Sequence, residues 1–151
     1  MTSARNREPA ADDRRILLVA VDGSPTSMRA AAYAAGLARR ERALLVAVYV
    51  DVPVSGLAAA LPDGGALELE THRLVAAELE EEITEAADRI GVDIEYVVRR
   101  GDPFAEIASL ANDLRADAVL VGCSQTGAHR LIGSLAVRLV RAGRWPVTVV
   151  P

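Results

Sequence analysis

Apolar residues fall along this chain in short unbroken runs that alternate with longer stretches of helical spacing. Ile16-Leu-Leu-Val-Ala-Val21 is the first run, and it reads as a strand buried on both faces. Asp22-Gly23-Ser24-Pro25 ends it with turn chemistry, and Ser24 or Thr26 can cap the helix that follows to about Arg40. Ala31, Ala34, Ala35 and Ala38 give that helix a small-residue face suited to close packing on a sheet. Residues 43–50 form a second buried strand. Residues 51–65 hold Pro53, Gly56, Pro62, Gly64 and Gly65 and read as the longest irregular stretch. From Leu67 to Ile90 the apolar positions Leu79, Ile83, Ala86, Ala87 and Ile90 recur at helical spacing, and Gly91 stops the helix. Glu78, Glu80, Glu81, Glu82 and Glu85 read as its solvated face.

Residues 93–99 alternate weakly, with Ile94, Tyr96 and Val98 set against Glu95, Val97 and Arg99, which suggests an edge strand. Gly101-Asp102-Pro103 turns into a helix through Arg115 with Phe104, Ile107, Ala108 and Leu114 inward. Ala118 to Val121 is a short buried strand stopped by Gly122. A loop of small, polar and basic residues follows. Gly133-Ser134 opens a last helix, Gly143 closes it, and Pro146 to Val150 is a β-branched strand. Strand and helix alternate throughout. The expected fold class is α/β, a single doubly wound parallel sheet of five strands with helices on both faces.

Such sheets hold ligands at the carboxyl ends of their strands, where strand order reverses. The first strand ends at Asp22 and the fourth at Gly122. If the two are neighbours, Asp22 and the 122–134 loop face one crevice. Asp22 can accept hydrogen bonds from an adenine amino group or a ribose hydroxyl; it can equally serve an aspartate turn that needs no ligand. A glycine-bearing loop leading into a helix suits an anionic group.

Composition narrows the chemistry. At 151 residues one domain is expected, 15–151, after a polar lead, 1–14, with no apolar core of a signal peptide. The expected location is therefore cytoplasmic. No apolar run approaches the ~20 residues of a membrane span. The net charge of −4 gives no general attraction to nucleic acid. The one cysteine, Cys123, excludes an internal disulfide and reads as a small loop-packing residue. All 17 basic residues are arginine, which removes lysine Schiff-base chemistry and the lysine-type phosphate loop. There is no G-x-G-x-x-G after the first strand, no G-x-S-x-G, and no metal-spaced histidine pair. His72 reads as a residue on a solvated helix face, and His129 as a loop residue that can touch a phosphate.

The ordered set Val21-Asp22-Gly23-Ser24, residues 48–53, Gly101-Asp102-Pro103, Val119-Leu-Val-Gly122, Gly133-Ser134 and Pro146-Val-Thr-Val-Val150 resembles the universal stress protein family from Arg15 to Pro151. The resemblance implies strand order 3-2-1-4-5. It also implies a cytoplasmic stress-response protein that forms a homodimer through strand 146–150 and can bind ATP or another adenine nucleotide, with Mg2+ only alongside the nucleotide. The implied binding set is Val21, Asp22, Gly23, Ser24, Tyr49, Gly122, Ser124, Gly127, Arg130, Gly133 and Ser134. Asp22 and the backbone near Tyr49 would flank adenine; Gly122, Gly133 and Ser134 would border ribose and phosphates.

ATP-binding members carry G-x2-G-x9-G-[ST] after the fourth strand, and this chain departs from it. Gln125 replaces the second glycine, only seven residues (126–132) separate it from Gly133, and Ala136 stands where many members have a hydroxyl. Gly127 can replace the missing glycine two positions late, and Arg130 can supply charge. The alternative is a family member that binds no nucleotide and acts through protein contacts. Related ATP hydrolases carry S-G-G-x-D-S at the first strand, and Val21-Asp22-Gly23-Ser24 lacks that glycine pair. At most slow ATP hydrolysis is implied, and no residue stands out as its base.

Overall fold

Five parallel strands form one sheet in the order β3-β2-β1-β4-β5 in the computed structural model, which describes residues 14–53, 64–123 and 134–151. The elements are β1 (Ile16–Val21), α1 (Pro25–Glu41), β2 (Leu44–Asp51), α2 (Gly64–Ile90), β3 (Ile94–Arg100), α3 (Pro103–Leu114), β4 (Ala118–Gly122), α4 (Ser134–Ala142) and β5 (Val147–Val150). The apolar run at β1 is central, and the alternating strand β3 lies at an edge, as the pattern required. Helix α2 begins three residues before the expected Leu67, and β2 extends to Asp51.

Strand alternation builds two cores. Leu17, Val19, Val21, Leu45, Ala47 and Tyr49 face α1 and α2. Leu18, Val46, Val48, Val119 and Val121 face α3 and α4. On α1, Ala30, Ala31, Ala34 and Ala38 are all buried, so the helix lies close on the sheet. Ser24 is its cap: the Ser24 hydroxyl accepts from the Ser27 amide at 3.2 Å, and Pro25 fills the first helical position, where no N–H is needed.

The amino-terminal end of the sheet is pinned by Arg14. Its guanidinium donates to the carbonyls of Arg42 and Ala43 at 3.3 Å each and meets Asp93 at 2.6 Å. At the opposite end, β1 and β4 are neighbours whose crossovers leave to different faces. That is the point of strand-order reversal.

Candidate functional site

A cleft of about 570 Å³ opens at this reversal point. The volume is that of a small-molecule site. Its floor and walls are apolar: Val48 and Val50 of β2, Val121 of β4, Ile107 of α3, and Leu135 and Ala136 of α4. The polar lining comes from Asp22 and Ser24 of the β1–α1 turn, Thr26 and Ser27 of the first turn of α1, Cys123 after β4 and Ser134 at the start of α4.

Asp22 is the one charged residue among the described residues of the lining. Its carboxylate Oδ1 accepts the Ser24 amide at 2.9 Å, forming the aspartate turn. Its own amide donates to the Ser27 hydroxyl at 3.2 Å, and that hydroxyl donates to the Ser24 carbonyl at 3.0 Å. Burial works to raise the Asp22 carboxyl, but hydrogen bonds from Ser24 and Ser27 outweigh it and hold the group below the usual carboxylate range. The turn uses one oxygen, so the carboxylate keeps acceptor capacity toward the cleft. The turn and a ligand-binding role are therefore compatible in geometry. Gly23 makes the turn possible at φ +81°.

Gly122 has a packing role that the sequence did not announce. A side-chain carbon there would stand 2.6 Å from the Ser27 amide nitrogen and the Thr26 carbonyl carbon. The amino terminus of α1 crosses the end of β4 at a distance that only glycine permits. The same approach brings Thr26 and Ser27 into the cleft. The next residue, Cys123, ties the cleft end of β4 to β5 through its amide, which donates to the Val150 carbonyl at 2.7 Å.

Of the residues anticipated for binding, the structure gathers Val21, Asp22, Ser24, Gly122 and Ser134 around the cleft. Ser124, Gly127, Arg130 and Gly133 lie outside the described residues, as do Gln125 and His129. Tyr49 is split from the cleft by strand alternation. Its backbone lies between Val48 and Val50, which face the cleft, while its side chain points to the α2 side. Ala136, 1% exposed, is packed in the α3/α4 core as well as lining the cleft, and it brings no hydroxyl.

His72 is not on a solvated face, contrary to expectation. It is half-buried, its Nδ1 lies 2.8 Å from the Tyr49 hydroxyl, and Asp51 Oδ1 is 3.4 Å from the same nitrogen. Asp51 is itself buried, and that oxygen has no hydrogen bond among the described residues. The histidine turns inward because it lies on the stripe of α2 that continues Val75, Ala76, Leu79 and Ile83 toward the helix start, where the sheet offers a tyrosine hydroxyl instead of an apolar side chain. Thr26, Ser27, Val48, Val50 and Ile107 were also missed as cleft residues. The period of two in β2 could have placed Val48 and Val50 opposite Tyr49.

The universal stress protein family model matches residues 13–151. The chain belongs to the universal stress protein family. A universal stress protein of Methanocaldococcus jannaschii is 33% identical over 138 residues, covering 89% of this chain and 80% of that protein. A crystal structure of a family member from Burkholderia pseudomallei superposes with a TM-score of 0.76 at 26% identity, covering 95% of this chain and 99% of the other. A universal stress protein crystallised in complex with cAMP superposes with a TM-score of 0.69 at 28% identity, covering 91% and 97%. The family fold and the strand order 3-2-1-4-5 are thus shared by chains of nearly the same extent. Among the described residues no helix is long and apolar enough to cross a membrane, and no cluster of three or more His, Cys, Asp or Glu is arranged to hold a metal ion.

Proposed function

We propose that the cleft between β1 and β4 binds an adenine nucleotide and that the protein acts in the stress response as a cytoplasmic homodimer. The observation that carries the reading is the position of Asp22. Its carboxylate stands at the mouth of a 570 Å³ apolar cleft at the reversal point of the sheet. A largely apolar lining suits a purine, and a carboxylate beside it suits an amino group or ribose hydroxyls. The cAMP complex of a family member at 28% identity supports the same class of ligand.

The ligand is held mainly through base and ribose. On the phosphate side the sequence lacks a glycine at 125, two residues of loop and a hydroxyl at 136. A hydrogen bond to a charged phosphate contributes about 1.5–3 kcal/mol. Two such losses weaken ATP by roughly a hundredfold or more, since about 1.4 kcal/mol is a factor of ten. AMP relies less on that side and loses less. Any Mg2+ would come only with the nucleotide.

The dimer is proposed to form through strand 146–150. β5 pairs with β4 on one side only, and its four residues are half-buried and β-branched. Pro146, without an N–H, precedes the strand.

A thermal-shift titration with ATP, ADP, AMP and cAMP, with and without magnesium, tests the nucleotide reading. A ligand at a hundredfold over its Kd adds roughly 2.7 kcal/mol, a rise of about 5–11 °C at this chain length. Absence of a shift with every nucleotide would replace this reading with an interaction module acting through protein contacts.

A further inference from the structure

The two helical walls of the cleft are fastened to each other by three side chains outside it. Asp102 precedes α3 and caps it, its Oδ1 accepting the Ala105 amide at 3.0 Å. The same carboxylate receives Arg138 of α4 in a fork: Nη2 donates to Oδ1 and Nη1 to Oδ2, each at 3.2 Å. The guanidinium also stacks on Phe104, its central carbon 4.4 Å from the ring centroid. The hydrogen bonds from Arg138 are the first cause, and that from Ala105 the second, of the Asp102 carboxyl lying below its ordinary range. Pro103 and Ile107 of α3 form one wall of the cleft, and Leu135 and Ala136 of α4 form another. Arg138 lies one helical turn beyond Ser134, so the clasp acts on the very segment of α4 that borders the cleft.

Two-point contact with a carboxylate and stacking on a ring fix a guanidinium in both distance and plane. A lysine can place a charge near both groups but can make neither the two-point fork nor the planar stack. The side chains of Arg138 and Asp102 are 51% and 49% exposed, so the pair adds little to global stability and is screened by salt. Its effect is therefore on position.

We propose that the Asp102–Arg138–Phe104 clasp sets the spacing of the α3 and α4 walls and thereby the affinity of the cleft for its ligand, with Arg138 as a positioning residue. The affinity part rests on the nucleotide reading above; the spacing part does not.

The test uses Arg138→Gln, Arg138→Lys and Asp102→Asn. Asparagine keeps a capping oxygen for Ala105 and removes the charge. AMP binding is measured by calorimetry and backbone amide exchange by NMR. Arg138→Gln and Asp102→Asn should each weaken AMP by about three- to fivefold, the size an exposed ion pair can deliver. The double variant should be no weaker than either single one, and Arg138→Lys should recover only part. Salt should lower AMP affinity more steeply in the unaltered protein than in Arg138→Gln. Amides 138–142 of α4 should exchange faster in both single variants, while the denaturation midpoint barely moves.

A twofold or smaller change in AMP affinity with unchanged α4 exchange would overturn the proposal. So would a large loss in Arg138→Gln with none in Asp102→Asn, which would mean that Arg138 meets the ligand directly. If the unaltered protein binds no nucleotide, the nucleotide reading fails by itself. Amide exchange then decides the clasp: faster exchange in both variants supports it, and unchanged exchange refutes it.

Discussion

Replacing Gly122 by alanine should destabilise the protein by an amount that can be worked from one close approach. The added methyl would sit 2.6 Å from Ser27 N, 2.6 Å from Thr26 C and 2.8 Å from Thr26 O. All three are backbone atoms in the capped first turn of α1, so no side-chain rotation relieves the overlap. Either α1 lifts from the sheet or β4 bends. Overpacking of this kind costs about 1–3 kcal/mol, and the rigid neighbours place Gly122→Ala near ~3. At about 2–4 °C per kcal/mol for a chain of this size, the melting temperature should fall by roughly 6–12 °C. Gly65→Ala is the matched control. Nothing lies within 4 Å of a side-chain carbon at Gly65, which is in α2, so that change should be neutral or stabilising by up to about 1 kcal/mol. Urea denaturation monitored by circular dichroism measures both. A loss below about 0.5 kcal/mol for Gly122→Ala, the range of ordinary surface changes, would show that α1 does not cross β4 as described.

Asp22 and Asp102 both have carboxyls held below their ordinary range. The folded state therefore binds their protons less readily than the unfolded chain. Their stabilisation is present above the unfolded value of about 3.9 and is lost as pH falls through the lower folded values. Carboxyl titration by NMR should show both midpoints below that value, and a midpoint at or above it for Asp22 would refute the hydrogen-bonded turn. His72→Ala should cost roughly 1–3 kcal/mol, because it leaves the buried Tyr49 hydroxyl without its 2.8 Å partner. A thermal melt unchanged from that of the unaltered protein would return His72 to a solvated face. Light scattering at micromolar concentration should give about twice the 16.0 kDa chain mass. The carbonyls of Pro146 and Val150 are taken up on the β4 side, so Val149, alternating with them, directs its N–H to the unpaired edge. Replacing Val149 by proline should therefore weaken the dimer steeply or give the monomer, and a monomer in the unaltered protein would remove the β5 interface.

Much of the fold was legible because its strands are apolar runs bounded by glycine or proline and its edge strand alternates. Ser24-Pro25 and Asp102-Pro103 marked two helix starts directly, and both caps stand where those pairs place them. Helix ends were less legible. α1 and α3 close on Arg42 and Arg115, both left-handed at φ 53° and 52°, where a glycine would have marked the stop. The cleft was legible at Asp22, Gly122 and Ser134, since each sits where a strand meets a helix. It was not legible at Thr26, Ser27 and Ile107, because those residues reach the cleft through the packing of α1 and α3 on the sheet. His72 was missed for a related reason. Helical periodicity marks an inward stripe by its apolar members, and a histidine on that stripe looks solvated until the hydroxyl of Tyr49 is placed beneath it. Gly122 was read for its nearness to a ligand, whereas its tightest contact is with α1.

Calorimetric titration of the protein and of Asp22→Ala with AMP and ATP tests the central claim most directly. Both nucleotides should bind the unaltered protein, with ATP no tighter than AMP, and Asp22→Ala should abolish both while Ser134→Ala mainly affects ATP. ATP binding far tighter than AMP would show a rebuilt phosphate site and contradict the base-and-ribose account. Nucleotide binding that survives intact in Asp22→Ala would remove the cleft between β1 and β4 as the site.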